Sequence, residues 1–271
     1  MGQRIALELH PNRSAAVSTA RELTGRLEAL GCQVVEVAED GDVRDASLVL
    51  SLGGDGTFLR AAHRVRDHGV PIMGINLGTL GFLAEVEPDS LEAAIDVVSR
   101  GAWSIEERAT LEVEVRGIDG GVRWRGWALN EVSVEKTARQ RVLVMAIEVA
   151  GSHVTTMPAD AVVISTPTGS TAYAFSAGGP ILSPRVAGTL VTPVAPHSVF
   201  GRTIVAAHDE AVTVRVLPEQ AAAVVSCDGR DPVSLEAGGS VNAVGSGRPV
   251  LIARVAPVDF YEVVRHKFGL R

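Results

Sequence analysis

The pattern of apolar residues changes near residue 105, and this change constrains the fold more than any other feature of the chain. Before it, short apolar runs at residues 4–9, 32–38, 46–52 and 70–76 alternate with segments of helical periodicity. After it, β-branched runs are separated only by turns rich in Gly, Pro and Asp. The alternation predicts a mainly parallel sheet with helices on its faces, whereas the short successive strands predict a β-rich region.

This change of pattern predicts two domains. An α/β domain is expected over residues 1–104 and a β-rich domain over residues 105–255. The segment 256–271 has helical character, and we expect it to pack back on the first domain. The 271 residues are close to the practical limit of a single hydrophobic core, which also favours two domains.

The charge balance and the cysteine content narrow the functional classes. The chain has 32 acidic and 25 basic residues, a net charge of −7, which disfavours binding to nucleic acid. It has no apolar run near the roughly 20 residues that cross a membrane. Its two cysteines, Cys32 and Cys227, have no metal-ligand spacing. We therefore expect a soluble, cytoplasmic protein that binds neither nucleic acid nor membranes.

The scarcity of lysine excludes whole classes of kinase. The basic residues are arginines except for Lys136 and Lys267, and neither lysine follows a glycine. A Walker A loop requires the sequence GK[ST], and protein kinases require a strand lysine together with an HRD-type loop. The chain also lacks HExxH, GxSxG and GxGxxG, so these signatures do not support a zinc protease, an α/β-hydrolase or the usual dinucleotide fingerprint.

The first functional motif is the turn Gly-Gly-Asp-Gly-Thr at residues 53–57. It joins the apolar run 46–52 to a segment of helical character. Glycines let a ligand approach the backbone, and the N–H groups of a following helix point at anionic oxygens. A carboxylate at Asp55 would repel a phosphate in this turn unless it takes a proton or holds Mg²⁺. An acid in this position is therefore better explained by a catalytic role than by a structural one. The alternative is a helix cap, with the Asp55 side chain accepting from Thr57 or Phe58.

The second motif is the run Ser-Thr-Pro-Thr-Gly-Ser-Thr-Ala-Tyr at residues 165–173. Its hydroxyl groups can donate hydrogen bonds to sugar and phosphate oxygens. Tyr173 offers either a ring face for a base or a hydroxyl for a partner. The alternative is a turn between strands with a Ser or Thr cap.

The third motif is Asn130-Glu131, within the alternating run 127–136, which we predict to be one strand. An asparagine can pair with both edge groups of adenine, and a carboxylate suits the two adjacent hydroxyls of a ribose. Taken alone, the pair has an ordinary alternative interpretation as a solvated strand end.

Together these motifs resemble the NAD kinase family over nearly the whole chain. The matching segments are GGDGT at 53–57, Asn130-Glu131, TPTGSTAY at 166–173 and SAGGPI at 176–181. Phosphofructokinases and lipid kinases share GGDG, whereas TPTGSTAY after an Asn-Glu strand is more specific. The resemblance implies an N-terminal α/β domain, a C-terminal β-rich domain that binds a dinucleotide, and an active site between them. It also implies a homodimer or homotetramer formed through the β-rich domain.

The resemblance assigns roles to individual residues. It implies that Asp55 is the general base and that Asp160 contacts the nicotinamide end, although Pro158 stands where the family often has an arginine. By the same resemblance, further residues contact the adenosine and ribose, form the loop that holds the dinucleotide, or supply basic and polar groups. The full set of predicted site contacts is Asp55, Gly56, Arg60, Asn130, Glu131, Arg141, Asp160, Thr171, Ala172, Tyr173, Ser176 and Arg230.

The activity implied by the resemblance is phosphorylation of the 2′-hydroxyl of the adenosine ribose of NAD, which gives NADP. The donor is expected to be ATP, with polyphosphate as an alternative. Mg²⁺ or another divalent cation is expected on the donor phosphates and waters, without a dedicated set of protein ligands. The other functions that fit are a GGDG-type kinase acting on a lipid or sugar, which the second and third motifs disfavour, and a non-catalytic dinucleotide sensor, which would not use Asp55.

Overall fold

The computed structural model describes residues 2–9, 14–37, 41–78, 81–84, 86–87, 90–138 and 140–271. The chain divides into two compact units. The first contains residues Met1–Arg108 and Pro249–Arg271, and the second contains Ala109–Arg248. The second unit is therefore one continuous stretch of sequence, and the first unit contains both ends of the chain.

The N-terminal part of the first unit alternates strands with helices. In chain order these elements are β1 (Arg4–Leu9), α1 (Ser14–Ala29), β2 (Gln33–Glu36), β3 (Leu48–Gly53), α2 (Asp55–Val65), β4 (Ile72–Asn76), α3 (Leu91–Arg100) and β5 (Ser104–Arg108), with a 3₁₀ turn at Arg66–His68 after α2. Among the described residues, no helix is long and apolar enough to cross a membrane.

The second unit is built from strands with two short helical turns, and the chain then returns to the first unit. Its strands are β6 (Leu111–Arg116), β7 (Val122–Ala128), β8 (Glu131–Lys136), β9 (Leu143–Val149), β10 (Ser152–Ala159), β11 (Ala161–Ser165), β12 (Gly188–Val194), β13 (Ile204–Ala207), β14 (Val212–Val216), β15 (Ala223–Cys227), β16 (Arg230–Leu235) and β17 (Ser240–Gly245). Between β11 and β12 lie a 3₁₀ turn (Thr168–Thr171) and α4 (Tyr173–Ser176). The returning elements are β18 (Val250–Arg254) and α5 (Phe260–Lys267).

The first unit contains a six-stranded sheet in the order β2-β1-β3-β4-β18-β5. Its neighbouring strands are parallel except for β5, which runs antiparallel to β18. Every residue of β3 and of β4 is buried, as expected for parallel strands covered on both faces. The prediction of a mainly parallel sheet with helices is confirmed.

The last strand belongs to the first unit, although we predicted residues 250–255 as part of the β-rich domain. Ile252 of β18 pairs with Ile72 of β4, and β18 also pairs along its length with β5. Without β18, the buried strand β4 would have unpaired backbone groups along one edge, which is unfavourable. The strand at 104–108 likewise completes this sheet, so the division falls a few residues after the predicted boundary at 104.

The second unit consists of two antiparallel six-stranded sheets that share one hydrophobic core. The first has the order β10-β9-β14-β17-β6-β7 and the second the order β13-β12-β11-β8-β15-β16. The core includes Val113 and Val214 from the first sheet and Val134 and Val225 from the second. The prediction of a β-rich C-terminal domain is confirmed.

The prediction that residues 127–136 form one strand is wrong. Strand β7 ends at Ala128 and pairs with β6 in one sheet, whereas β8 begins at Glu131 and pairs with β11 and β15 in the other. Residues 129–130 carry the chain from one sheet to the next. We call residues 129–131 the NE corner.

Candidate functional site

The turn after β3 begins helix α2 without a side-chain cap. Gly54 is the N-cap residue, and its carbonyl accepts hydrogen bonds from the backbone N–H groups of Thr57 (3.0 Å) and Phe58 (3.1 Å). Asp55 is the first residue of the helix. The alternative interpretation of Asp55 as a helix cap for Thr57 or Phe58 is therefore wrong.

The carboxylate of Asp55 binds a loop that is distant in sequence. Oδ2 accepts from the backbone N–H of Phe82 (3.0 Å), and Oδ1 accepts from those of Leu83 (3.0 Å) and Ala84 (3.4 Å). A side chain at Gly81 would collide with this carboxylate, which explains the glycine. The half-buried carboxylate is thus fixed beside the first turn of α2.

The glycines on either side of Asp55 leave open space. A methyl group on Gly54 or Gly56 would meet no described atom within 4 Å, and neither residue has a left-handed φ. Packing against the described chain therefore does not require glycine at these positions. The space lies at the start of an 11-residue helix, where free N–H groups favour an anion such as phosphate.

Arg60 is held by groups of its own unit. Its Nε donates to Oε1 of Glu8 at 2.8 Å, and its Nη2 donates to the Leu9 carbonyl at 2.9 Å. Glu8 is buried and also pairs with Nε of Arg64 at 3.1 Å. Two guanidinium groups therefore share one carboxylate at the end of β1. The predicted ligand contact of Arg60 stays a prediction.

In the second unit, three segments meet at the NE corner. Glu131 opens β8 opposite Ser165, the last residue of β11, and Val132 lies opposite Cys227, the last residue of β15. The hydroxyl-rich segment follows β11, and an Asp-Gly turn follows β15. The antiparallel pairing thus places the second and third sequence motifs side by side.

The hydroxyl-rich segment is anchored on the NE corner. The Thr166 N–H donates to the Asn130 carbonyl (2.9 Å), and the Thr166 hydroxyl donates to the Leu129 carbonyl (2.5 Å). Gly169 packs directly on the backbone of Asn130, and a Cβ atom there would lie 2.8 Å from the Asn130 Cα. The glycine in this motif is therefore required by a backbone contact within the protein.

Two hydroxyls of this motif, which we expected to face a ligand, bind backbone groups of the protein instead. Thr166 and Ser170 are buried, and the Ser170 hydroxyl donates to the Pro167 carbonyl (2.6 Å) and accepts from the Leu182 N–H (2.9 Å). The expectation is wrong for these two. Of the predicted contacts, Thr171 and Ala172 are half-buried and Ser176 is exposed.

Tyr173 lies beside the NE corner. Its backbone N–H lies near the Glu131 carboxyl group and acts to lower the pKa of that carboxyl. Its half-buried side chain packs against a small apolar cluster of Val163, Ala174 and Leu190. Burial raises the pKa of the Tyr173 hydroxyl, and nearby carboxylates, including that of Glu131, add to the effect. Tyr173 therefore has both a packed face and a position next to the predicted ribose contact.

Glu131 lies in a desolvated and negative environment. Burial raises its pKa to about 8, with further contributions from the charges of Asp228 and Glu135, while the Tyr173 N–H acts in the opposite direction. Asn130 is buried, so its interpretation as a solvated strand end is wrong. Within the described chain, Oδ1 of Asn130 and Oε2 of Glu131 are buried and have no hydrogen-bond partner.

The remaining predicted contacts lie in different places. Asp160 precedes β11 at the end opposite the NE corner, and its carboxylate forms an ion pair with Lys136 of β8. Arg141 is exposed in the turn before β9. Arg230 opens β16, is half-buried, and its Nη1 has no hydrogen-bond partner in the described structure.

Two residues with roles in this region were not predicted from the sequence. Lys136 is one, because only the pairing of β8 with β11 shows that it reaches Asp160. Asp228 is the other, since its carboxylate accepts hydrogen bonds from the backbone of the NE corner. An Asp-Gly pair between two β-branched runs is a sequence signal for a hairpin turn, but it does not reveal this contact.

Family models match both parts of the chain. A model described as the ATP-NAD kinase N-terminal domain matches residues 6–102, and one described as the ATP-NAD kinase C-terminal domain matches residues 129–255.

Among relatives, the chain is 42% identical to an NAD kinase of Mycobacterium leprae, over 90% of this chain and 78% of that protein. It is 39% identical to NAD kinase 2 of Streptomyces coelicolor, over 98% of this chain and 94% of that protein.

Two solved structures have the same fold. One is a yeast NADH kinase complexed with NADH, with a TM-score of 0.87, 20% identity, and coverage of 99% of this chain and 88% of the other. The second is an NAD kinase from Archaeoglobus fulgidus in complex with ATP, with a TM-score of 0.77, 23% identity, and coverage of 98% and 97%.

Proposed function

The chain belongs to the NAD kinase family, and we propose that it transfers the terminal phosphoryl group of ATP to the 2′-hydroxyl of the adenosine ribose of NAD, giving NADP. The observation that carries this proposal is the pair of buried acceptor atoms at the NE corner, Oδ1 of Asn130 and Oε2 of Glu131. Buried polar atoms without partners are unfavourable. A nucleoside supplies suitable donors, the amino group of adenine and the hydroxyls of ribose.

The first unit supplies groups suited to the donor and to proton transfer. The open space over Gly54 and Gly56 suits the phosphates of ATP, because the helix N-terminus provides N–H donors. Asp55 is proposed as the general base that takes the proton from the 2′-hydroxyl. Its three backbone hydrogen bonds keep the carboxylate in one position, and phosphoryl transfer depends mainly on such positioning and on electrostatics.

A divalent cation is part of the proposal. Within the described residues, no group of three or more His, Cys, Asp or Glu side chains is arranged to hold a metal ion. We propose that the ion is carried by the donor phosphates and waters, as is common for Mg²⁺. When bound, such an ion would neutralise phosphate charge. The roles of Asp55 and Glu131 described above do not depend on it.

The other predicted contacts and properties remain proposals. Arg60, Arg141 and Arg230 are proposed as basic contacts, Asp160 as the contact to the nicotinamide end, and Tyr173 as a platform for a ring of the dinucleotide. Gly56, Thr171, Ala172 and Ser176 are proposed to line the ligand. We also propose a cytoplasmic homodimer or homotetramer.

The direct test is to incubate the protein with NAD, ATP and Mg²⁺ and to measure NADP with an NADP-specific dehydrogenase, which reads the 2′-phosphate. We expect NADP and ADP in equal amounts. NAD binding by calorimetry without ADP formation would instead indicate a sensor. ADP formation only with a lipid or sugar acceptor would indicate a different GGDG-type kinase. Replacement of ATP by polyphosphate in the same assay tests the donor.

A further inference from the structure

The backbone of the NE corner is held by one side chain from a distant part of the sequence. The carboxylate of Asp228 accepts hydrogen bonds from three successive backbone N–H groups, those of Leu129 (2.9 Å), Asn130 (2.7 Å) and Glu131 (3.2 Å). In return, the Asp228 N–H donates to the Glu131 carbonyl at 2.9 Å. The corner is therefore fixed by four hydrogen bonds to a single residue.

The corner needs this support because it lies where the chain changes sheets. Strand β7 ends at Ala128 and β8 begins at Glu131, so the N–H groups between them cannot all be paired by regular strand neighbours. Asp228, which accepts hydrogen bonds from these N–H groups, is itself only 8% exposed. A carboxylate suits the position, since it has two acceptor oxygens and no donor to oppose the three N–H groups.

The backbone conformation at position 228 does not by itself require an aspartate. Asp228 and Gly229 join β15 to β16 as a two-residue hairpin, with φ of +52° and +66°, and Cys227 pairs with Arg230 across it. Two left-handed residues are the pattern of a type I′ turn, which Asn-Gly and Gly-Gly form as readily as Asp-Gly. The turn therefore allows Asp, Asn or Gly at position 228, and the three hydrogen bonds from the NE corner favour the carboxylate of Asp among them.

In the NE corner, the backbone groups have hydrogen-bond partners, whereas two side-chain atoms do not. The N–H groups of Asn130 and Glu131 point at Asp228, the Asn130 carbonyl accepts from Thr166, and the Glu131 carbonyl accepts from Asp228. By contrast, Oδ1 of Asn130 and Oε2 of Glu131 have no partner in the described structure. The main chain is saturated, and the side-chain atoms that would meet a ligand are not.

From this arrangement we infer that Asp228 is a positioning residue for the acceptor dinucleotide, acting through the backbone of Asn130 and Glu131 rather than by touching the substrate. The inference rests on the proposed function. It assigns Asp228 to recognition of NAD and not to binding of ATP or to the chemical step.

The test compares Asp228→Asn with Asp231→Asn. The first change keeps an Asn-Gly turn but places an amide donor among three N–H groups. The second makes the same substitution at an exposed residue that also has a left-handed φ, +41°. Asp228→Asn is expected to raise the KM for NAD by about tenfold or more, with the KM for ATP and kcat within about twofold of wild type. Asp231→Asn is expected to leave all three unchanged.

Two further readouts separate positioning from general destabilisation. Combining Asp228→Asn with Glu131→Ala should raise the KM for NAD by less than the product of the single effects, because both act on one contact. In hydrogen exchange, the amides of Leu129, Asn130 and Glu131 should exchange faster in Asp228→Asn, while the β11 amides keep wild-type rates. If Asp228→Asn does not fold, Asp228→Gly replaces it, since Gly-Gly also suits the turn.

The inference is overturned if the KM for NAD is unchanged in the folded variant, if the KM for ATP rises by the same factor, or if the three amides exchange at wild-type rates. Its failure is distinct from failure of the proposed function. A wild-type protein that makes no NADP contradicts the function itself, and the amide exchange rates and NAD affinity by calorimetry then still decide whether Asp228 holds the corner.

Discussion

Two acidic residues, Asp55 of the first unit and Glu131 of the second, have different surroundings. The Asp55 carboxylate is half-buried and accepts three backbone N–H groups on its two oxygens. Glu131 is half-buried as well, but it lies in the field of the Asp228 charge, has one buried oxygen without a hydrogen-bond partner among the described residues, and has a pKa raised to about 8. Both oxygens of Asp55 therefore have partners within the protein, whereas Oε2 of Glu131 has none among the described residues. This difference supports the proposals of proton transfer for Asp55 and of substrate recognition for Glu131.

The largest expected effect is that of Asp55→Asn. Removing a general base costs roughly 10²- to 10⁴-fold in rate, so kcat should fall by that factor while the KM for NAD changes little. The variant should also lose some stability, because an amide donor replaces an acceptor opposite the N–H groups of the 82–84 loop. Steady-state kinetics and thermal melting of the same samples test both effects.

The matched control for Asp55→Asn is Asp45→Asn, an exposed aspartate of the same unit. We expect wild-type kcat from this control. A near-normal kcat for Asp55→Asn, in protein free of wild-type contamination, would remove Asp55 from proton transfer and end the contrast with Glu131.

The next effect is that of Glu131→Ala. Losing one partner of a buried hydrogen bond leaves the other group unsatisfied and costs about 1 to 3 kcal/mol. The KM for NAD should therefore rise by about one to two orders of magnitude, with little change in the KM for ATP. Titrating each substrate at saturation of the other separates the two constants. If ATP affinity suffers instead, the division of roles between the two acidic residues is wrong.

The raised pKa of Glu131 predicts a pH-dependent stability. Its pKa is above the ordinary value of 4.5, so the folded protein binds this proton more tightly than the unfolded chain. The free energy of unfolding therefore loses a contribution as pH rises from about 5 to about 8. Glu131→Gln removes this dependence, and its advantage over wild type should grow across that interval by on the order of 2 kcal/mol, about 4 to 8 °C in Tm.

Melting curves of both proteins from pH 5 to pH 9 measure this difference. Glu148→Gln is the control, since Glu148 is a half-buried carboxylate of β9 in the same unit. A constant difference between wild type and Glu131→Gln across the range would mean that Glu131 is not the desolvated group described here.

The smallest expected effect is that of Gly56→Ala, which should stabilise the fold slightly and weaken ATP binding. Gly56→Ala places a methyl group where no described atom lies within 4 Å, on the second residue of α2. Alanine is favoured over glycine in a helix by about 0.5 to 1 kcal/mol, so the variant should be slightly more stable. If phosphates occupy the space above the turn, the same methyl group should raise the KM for ATP. A variant with higher Tm and unchanged kinetics would contradict this location for the donor.

Much of the fold follows from the sequence pattern. The alternation before residue 105 predicts the parallel sheet, and strands β1, β3 and β4 lie where apolar runs predict them. The site motifs also stand out locally, because glycines and hydroxyls concentrate in short segments. Periodicity and turn composition are properties of neighbouring residues, so they can be identified without knowledge of the tertiary structure.

The tertiary structure alone determined the partners of the site residues. Asp55 binds a loop 27 to 29 residues away, and Asp228 binds the NE corner from 97 to 99 residues away. The break in the run 127–136 has the same origin, since both of its halves alternate and only the choice of neighbouring sheet separates them. The sequence by itself determined the position of most strands and helices, and it singled out the residues that we propose to carry the chemistry. Only the folded chain decided which backbone groups those residues bind, because such hydrogen bonds depend on sheet pairing between distant segments, and local patterning leaves that pairing open.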